Sequence, residues 1–178
     1  MVEAQREMRD ANPHGAPPLA ARSVLWLVSA CCASRTTLQA GAFVLFVGEE
    51  LLFASTALTL TSRRSRTRIN AANPLRAFAV QVALAAALTM PLAGIALLYH
   101  PRWFYPAFML ITGAYYPPLA FIYGRKVFLA LAVVLIGGGV AIAYIPHAPT
   151  TLGAWFTAAV LGLFAVSRVH PTFVTAEI

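Results

Sequence analysis

Long apolar segments separated by short polar links dominate the pattern of hydrophobic and polar positions along the chain. Six such segments follow a polar start, at residues 19–33, 38–61, 75–99, 103–123, 127–145 and 151–168. Five of them are near the roughly 20 residues that a helix needs to cross the hydrocarbon core of a bilayer. The pattern therefore predicts an all-α integral membrane bundle of six transmembrane helices.

The first segment leaves one alternative open. It is the shortest of the six, with sequence LAARSVLWLVSACCA, and it ends at the polar link at residues 34–37. A segment of that length would also fit a helix lying in the membrane interface, which gives five spans plus an interfacial helix. With six spans, residues 1–18 read as a polar cytoplasmic tail, residues 19–170 as the transmembrane domain and residues 171–178 as a short C-terminal tail.

The distribution of cationic side chains favours six spans. With six, 11 of the 13 Lys and Arg residues fall on one side of the membrane and only Arg35 and Arg102 on the other. Removing the first span weakens that bias, and cytoplasmic loops are the ones enriched in Lys and Arg. We therefore expect both termini in the cytoplasm. The loop arginines are expected to contact lipid head groups: Arg63, Arg64, Arg66 and Arg68.

Composition supports one membrane domain and excludes a basic nucleic-acid-binding domain. Of the 178 residues, 60% are hydrophobic and 11% charged, whereas soluble domains carry about 25% charged residues. The net charge of +7 comes from residues between apolar segments, not from one solvent-facing stripe. We expect the lipid bilayer as a partner and no nucleic acid.

A pair of carboxylates lies near the middle of the second segment. An acidic residue at the centre of a membrane helix costs about 2.5–3.5 kcal/mol on insertion scales, so it usually faces protein or water and has a partner. Counting depth on the six-span pattern brings a threonine and two tyrosines to the same level. The predicted substrate or ion site consists of Glu49, Glu50, Thr89, Tyr115 and Tyr116. A neutral carboxylic acid that hydrogen-bonds between helices is the alternative interpretation.

Helix-breaking residues fall at a similar depth. Pro91, Pro117, Pro118 and the glycine run at 137–139 would free backbone groups if they interrupt helices, as many transporters do at their substrate sites. Close helix packing explains prolines and glycines in membrane helices equally well. Both interpretations stay open at the level of sequence.

The sequence lacks the parts that other chemistries need. It contains no metalloprotease, serine-hydrolase or phosphate-loop motif, its histidines lie in the tail or at segment ends, and Cys31 and Cys32 are adjacent. We therefore expect no cofactor, no metal and no enzyme activity. An intramembrane enzyme acting on lipid, with a glutamate and a tyrosine in a pocket open to the bilayer, is a further alternative.

Several short motifs resemble those of an uncharacterised family of small bacterial multipass membrane proteins. They are Asn73-Pro74-Leu75 at the start of a span, Pro101 after an aromatic end, the run at residues 113–117 with sequence GAYYP, and Tyr123-Gly124. The resemblance covers residues 35–168 and implies a six-span bundle in a bacterial cytoplasmic membrane. It departs at Tyr115, where the family pattern carries a histidine, so a role of that histidine would not transfer.

Two functions follow as hypotheses from these features. The first is a small transporter or channel-like bundle with an acidic and tyrosine-containing site at mid-depth. The alternative is a non-catalytic membrane subunit of a larger complex, favoured by a ridge of small residues, Ala154, Ala158 and Gly162, that invites close packing of another helix. The expected protein partners are further copies of the chain or other membrane subunits.

Overall fold

The described part of the chain is built from helices. A computed structural model describes residues 2–11, 16–61 and 73–169, and within these ranges it contains seven α-helices, one short 3-10 turn at Pro101–Trp103 and no strand. The helices are α1 (Val2–Ala11), α2 (Ala16–Arg35), α3 (Leu38–Thr61), α4 (Pro74–Tyr99), α5 (Phe104–Tyr123), α6 (Val127–Tyr144) and α7 (Leu152–Val169). The prediction of an all-α chain is confirmed, and each apolar segment coincides with one helix to within a few residues.

The outer surface of these helices is apolar. Among the described residues, three helical stretches are long and apolar enough to cross a membrane: Leu38–Thr56, Pro74–Tyr99 and Val127–Tyr144. Large aliphatic side chains project outward along them, with Leu88 79% and Val133 71% exposed. Exposed apolar surface on this scale is stable in lipid and not in water. The structure is therefore that of a helical membrane protein.

Short links make consecutive helices antiparallel, so the bundle has two distinct ends. Residues 36–37 join α2 to α3 at one end, which we call the hairpin end, and residues 124–126 join α5 to α6 at the other, which we call the α1 end. Helices pack in the order α7, α2, α3, α4, α5 and α6 around the bundle. α5 is the most enclosed helix, because it also contacts α2 through ring packing and contacts α7.

Prolines and glycines do not interrupt the helices. α4 continues through Pro91, α5 continues through Pro117 and Pro118, and α6 continues through the glycine run. The glycines allow close approach of α5 and α6 instead: a Cβ added at Gly139 would lie 3.1 Å from the carbonyl oxygen of Pro106. The structure thus favours packing over a broken-helix site at these positions.

The N-terminal helix α1 packs against the bundle. Its Met8 is 1% exposed and lies in a small apolar cluster with Leu75 and Ala79 of α4 and Ile122 of α5. The sequence predicted only a polar tail in this region. Because one face of α1 carries a buried methionine, the helix packs over the ends of α4 and α5 at the α1 end of the bundle.

Polar contacts hold α1 in this place. The Gln5 side-chain amide donates to the carbonyl of Phe121 at 2.7 Å, and Arg9 donates to the carbonyl of Tyr123 at 3.0 Å. These carbonyls belong to the last turn of α5, where a helix leaves carbonyl groups without internal partners. Asn73, the N-cap of α4, also donates to the carbonyl of Ala4 at 3.0 Å. α1 therefore ties the ends of α4 and α5 together.

The small-residue ridge of α7 is used inside the chain. The Ser23 hydroxyl of α2 donates to the carbonyl of Ala158 at 2.9 Å. A Cβ added at Gly162 would lie 3.0 Å from that same Ser23 oxygen. The helix expected against this ridge is α2, so the ridge is not a free surface for another subunit.

A second close contact predicts a sharp sensitivity at Gly41 of α3. Its carbonyl accepts a hydrogen bond from the Ser29 hydroxyl at 2.8 Å, and an added Cβ would lie 2.5 Å from the Cβ of Ala33 and 2.8 Å from the Tyr105 hydroxyl. We expect Gly41→Ala to lower the free energy of unfolding by about 1–3 kcal/mol, as overpacking does elsewhere. Denaturation in mixed micelles measures this value.

Gly137→Ala is the matched control for this prediction. It lies inside α6, and an added Cβ there meets nothing within 4 Å. Alanine is favoured over glycine in a helix by about 0.5–1 kcal/mol, so we expect this variant to be unchanged or slightly stabilised. Equal stabilities of the two variants would contradict the packing described around Gly41.

Candidate functional site

A buried ion pair links α2 and α3 inside the bundle. The Arg22 Nε donates to Glu49 Oε2 at 2.9 Å, with relative side-chain exposures of 9% for Arg22 and 0% for Glu49. Charges taken out of water require pairing and further hydrogen bonds to be tolerated. The groups that surround this pair must therefore compensate for its burial.

The α2–α3 hairpin brings the two residues together. Its link consists of Thr36 and Thr37. The stretch of α2 from Arg22 to the link is nearly as long as the stretch of α3 from the link to Glu49. Because successive residues advance both helices by the same rise, two positions at similar distances from the turn lie at similar depth. Arg22 and Glu49 then need only face each other to pair.

Trp26 completes the hydrogen bonding of the carboxylate. It follows Arg22 by four residues, so both side chains lie on one face of α2. Its indole Nε1 donates to Glu49 Oε1 at 3.0 Å, and the residue is 0% exposed. The ring packs edge-on against Phe108 of α5, with centroids 5.7 Å apart. Each carboxylate oxygen therefore has its own donor.

Aromatic side chains surround the guanidinium group. Its carbon lies 4.8 Å from the ring centroid of Phe53 and 5.2 Å from that of Tyr115, within the range of cation–π attraction. Arg22 Nη1 also donates to the Tyr116 hydroxyl at 3.4 Å. We call Glu49, Phe53, Tyr115 and Tyr116 the guanidinium cage.

A known protein family covers almost the whole chain, including α1 and every residue of the guanidinium cage. The family of unknown function DUF7010 matches residues 1–170. The chain belongs to this family. No curated protein and no solved structure matches it.

Membership in DUF7010 confirms the resemblance to an uncharacterised family. The match also reaches further than the motifs that suggested it, since residues 1–34 contain α1, Arg22 and Trp26. A bacterial origin and the histidine pattern around Tyr115 stay predictions.

The structure brings together three of the five predicted site residues. Glu49 and Tyr116 both contact Arg22, and Tyr115 faces its guanidinium. Glu50 points to another side of α3: it is partly exposed, and its side chain forms no hydrogen bond or ion pair with another described residue. Thr89 is exposed, and its hydroxyl donates to the carbonyl of Ala86 in its own helix. Glu50 and Thr89 therefore lie outside the site.

Sequence reasoning missed Arg22, Trp26 and Phe53. Arg22 was assigned to the cytoplasmic side with the other cationic residues, although it lies inside the first apolar segment. Its position opposite Glu49 across a two-residue link was the available signal. The predicted head-group contacts, Arg63, Arg64, Arg66 and Arg68, lie outside the described residues.

The chemistry of the site in this DUF7010 protein is that of charge pairing. Among the described residues no group of three or more His, Cys, Asp and Glu side chains is placed to hold a metal ion. The atoms facing the guanidinium are a carboxylate oxygen, a phenol oxygen and two ring faces. Such an arrangement holds a cation, which in this structure is the guanidinium of Arg22.

Proposed function

We propose that this DUF7010 protein is a small transporter of the bacterial cytoplasmic membrane whose solute site is the guanidinium cage. The observation that carries the proposal is the Arg22–Glu49 ion pair, enclosed by α2, α3 and α5 with the carboxylate 0% exposed. Ionisable residues within a membrane domain are expensive and commonly mark solute or ion pathways.

The energetic cost supports a role beyond stability. Placing an acidic residue at the centre of a membrane helix costs about 2.5–3.5 kcal/mol on insertion scales, and Glu49 lies near the middle of α3. Well-packed apolar residues often stabilise a protein as much as a buried ion pair does, or more. A chain under selection for a stable bundle alone would be served by leucines at both positions.

Helix packing supports six crossings, which place both termini on one side of the membrane, and the distribution of Lys and Arg favours the cytoplasm as that side. α5 has 20 residues, about 30 Å of helix, and packs between α4 and α6, which both meet the criteria for a span. α2 pairs with α3 through the two-residue link, and α7 packs along α2. α2 and α5 are less apolar than these spans, since α2 carries Arg22 and Arg35 and α5 carries several tyrosines and prolines.

Enclosure of the pair favours a carrier in a closed state over an open channel. Both oxygens of Glu49 are bonded to protein groups, and the residue is fully buried, whereas a water-filled pore would expose it. The buried hydroxyls of Thr112 and Thr157 also lack a hydrogen-bond partner among the described residues. An unmet buried hydroxyl costs about 1–3 kcal/mol, so hydration in an open state would favour that state.

One observation favours the second candidate, a membrane subunit of a larger complex. Glu50 is partly exposed near the middle of α3, with no ion pair to another described residue. A side chain from a neighbouring subunit, either another copy or a different protein, would neutralise it. Purification in mild detergent with other subunits at fixed stoichiometry would support that candidate.

Reconstitution into liposomes tests the transport proposal. Radiolabelled amino acids, carboxylates and organic amines are added outside in turn, and the label retained inside the liposomes reports solute uptake. We expect flux for one of these classes with the parent protein and with Glu50→Gln, and at least a ten-fold lower rate with Glu49→Gln, normalised to folded protein.

Tyr116→Phe keeps the ring and removes one hydroxyl, so it provides a second variant if Glu49→Gln folds poorly. We expect it to fold and to lower the rate, because Arg22 Nη1 loses an acceptor. Equal rates for the parent and all three variants, or flux no greater than that of empty liposomes for every solute class, would overturn the proposal.

A further inference from the structure

We infer that the guanidinium cage is a binding site for a monovalent organic cation of the guanidinium or alkylammonium type, and that Arg22 occupies this site as an internal substitute for the ligand. The inference rests on the proposed function, because it names the solute class of the same site. It follows from what faces the guanidinium and from how firmly each partner of the ion pair is held.

Every described group that faces Arg22 in the cage suits a cation. Glu49 supplies a carboxylate at 2.9 Å, Tyr116 supplies a hydroxyl oxygen at 3.4 Å, and two rings present their faces at 4.8 and 5.2 Å. Carboxylate plus aromatic faces is the combination that recognises organic ammonium and guanidinium ions. The planar guanidinium of a ligand would meet the same four groups as Arg22 does.

The two partners of the ion pair are held unequally. Glu49 has a short side chain and is bonded by the Trp26 indole at 3.0 Å independently of Arg22. Arg22 has a long flexible side chain, and its contact with Tyr116 is long for a hydrogen bond. When the pair opens, Glu49 therefore keeps one bond in place while Arg22 loses its principal one.

The position of Arg22 in α2 allows its side chain to extend toward the membrane surface at the α1 end of the bundle. It lies within two turns of Ala16, where α2 begins at the α1 end of the bundle, which is about 9 Å along the helix. Arginine side chains near helix ends extend toward the membrane surface. A cation entering from that end can take the cage while Arg22 moves outward, so the site keeps one positive charge throughout. An anion would have to displace Glu49 from both donors, which the geometry disfavours.

Fluorescence of Trp26 reports occupancy of the cage. In the variant Trp103→Phe/Trp155→Phe, which removes two residues 46% and 42% exposed, Trp26 is the single tryptophan and touches Glu49. We expect millimolar methylguanidinium to change its emission saturably in lipid nanodiscs. Urea, a neutral planar analogue, and sodium chloride at the same concentrations are expected to leave it unchanged.

If Arg22 competes with the ligand for the guanidinium cage, removing it should strengthen ligand binding, which a merely structural ion pair would not predict. In the same background, Arg22→Gln removes the internal occupant, and we expect methylguanidinium to bind on the order of ten-fold more tightly or better, because the cage no longer has to be vacated. We expect methylguanidinium, present throughout its preparation, to stabilise this variant against unfolding. Glu49→Gln should abolish the response, whereas Glu50→Gln should keep it.

The outcomes separate this inference from the transport proposal. Saturable binding without flux in liposomes would leave the cation site standing and remove the transporter. Flux of a carboxylate or amino acid, together with no response of Trp26 to methylguanidinium in the parent variant, would overturn the cation site and leave transport intact. An equal or weaker affinity in the folded Arg22→Gln variant would also overturn it, since Arg22 would then not be a competitor.

Discussion

Replacing Glu49 by glutamine is expected to lower the free energy of unfolding by about 3–5 kcal/mol, the usual cost of removing one partner from a buried ion pair. The substitution preserves the size of the side chain and an acceptor for the Trp26 indole, so packing changes little. What it removes is the negative charge 2.9 Å from the Arg22 Nε. Arg22 then stays in the apolar interior without a counter-charge, or its side chain leaves the guanidinium cage and extends toward the α1 end of the bundle to reach water.

Denaturation in mixed micelles, followed by circular dichroism, measures this loss. Glu50→Gln is the matched control, because it is the same substitution one residue along α3 on a partly exposed side chain. We expect the control to lie within about 0.5 kcal/mol of the parent, as surface substitutions usually do. Equal losses in the two variants would show that Glu49 has no special role in stability.

A double substitution separates the free energy of the Arg22–Glu49 interaction from the cost of losing either side chain alone. In Arg22→Gln/Glu49→Gln both charges are gone, and two amides can hydrogen-bond to each other across the hairpin. We expect the double variant to be more stable than the sum of the single losses predicts, with a coupling of about 0.5–3 kcal/mol as for other contacting pairs. Additive losses would contradict a direct interaction between Arg22 and Glu49.

The sequence was sufficient for the six apolar helices α2 to α7 and their order, because apolar runs in this chain end at clear polar links, whereas α1 has no such run. The segment predicted at 38–61 has the same bounds as α3, and the segment at 75–99 differs from α4 by one residue. Membrane helices satisfy all their backbone groups internally, so length and hydropathy determine them almost alone. Tertiary contacts add little at this level.

The level of the candidate site residues along their helices was predictable from the sequence. The side of each helix on which their side chains lie was not. Counting residues along the spans put Glu49, Tyr115 and Thr89 at one level, yet only the first two face the same interior. α4 buries Ala86, Met90 and Ala93 along one stripe, and Thr89 lies to the side of it. Neighbouring residues point about 100° apart, so a count along the chain cannot assign a face without knowing where the adjacent helices lie.

The partner of Glu49 was missed because a charge count treats every arginine as a topology signal. Arg22 lies within an apolar segment, where the same cost that made Glu49 conspicuous applies to a cation. The two-residue link between α2 and α3 fixes their relative register, which pairs residues at similar distances from residues 36–37. Contacts with α5, such as Tyr116, depend on packing between distant segments and had no comparable signal.

Replacing Trp26 by alanine is expected to be the most damaging single change to packing in the bundle. Its side chain is 0% exposed, lies against Tyr105 and Phe108 of α5, and donates to Glu49. Loss of a buried aromatic side chain costs about 3–5 kcal/mol through the cavity it leaves, and in lipid this comes from lost van der Waals contacts between helices. The lost indole donor adds to that cost.

Trp26→Phe divides the effect into its two parts. Phenylalanine keeps most of the ring against Phe108 but cannot donate to Glu49 Oε1, so we expect a smaller loss of about 1–3 kcal/mol, the cost of an unmet buried acceptor. Trp155→Ala, at a residue 42% exposed, should cost less than either. If Trp26→Ala is no worse than Trp155→Ala, the centre of the bundle is not where the structure places it. If Trp26→Phe instead matches Trp26→Ala, the hydrogen bond to Glu49 outweighs ring packing, and Trp26 belongs to the charge-pairing site more than to the core.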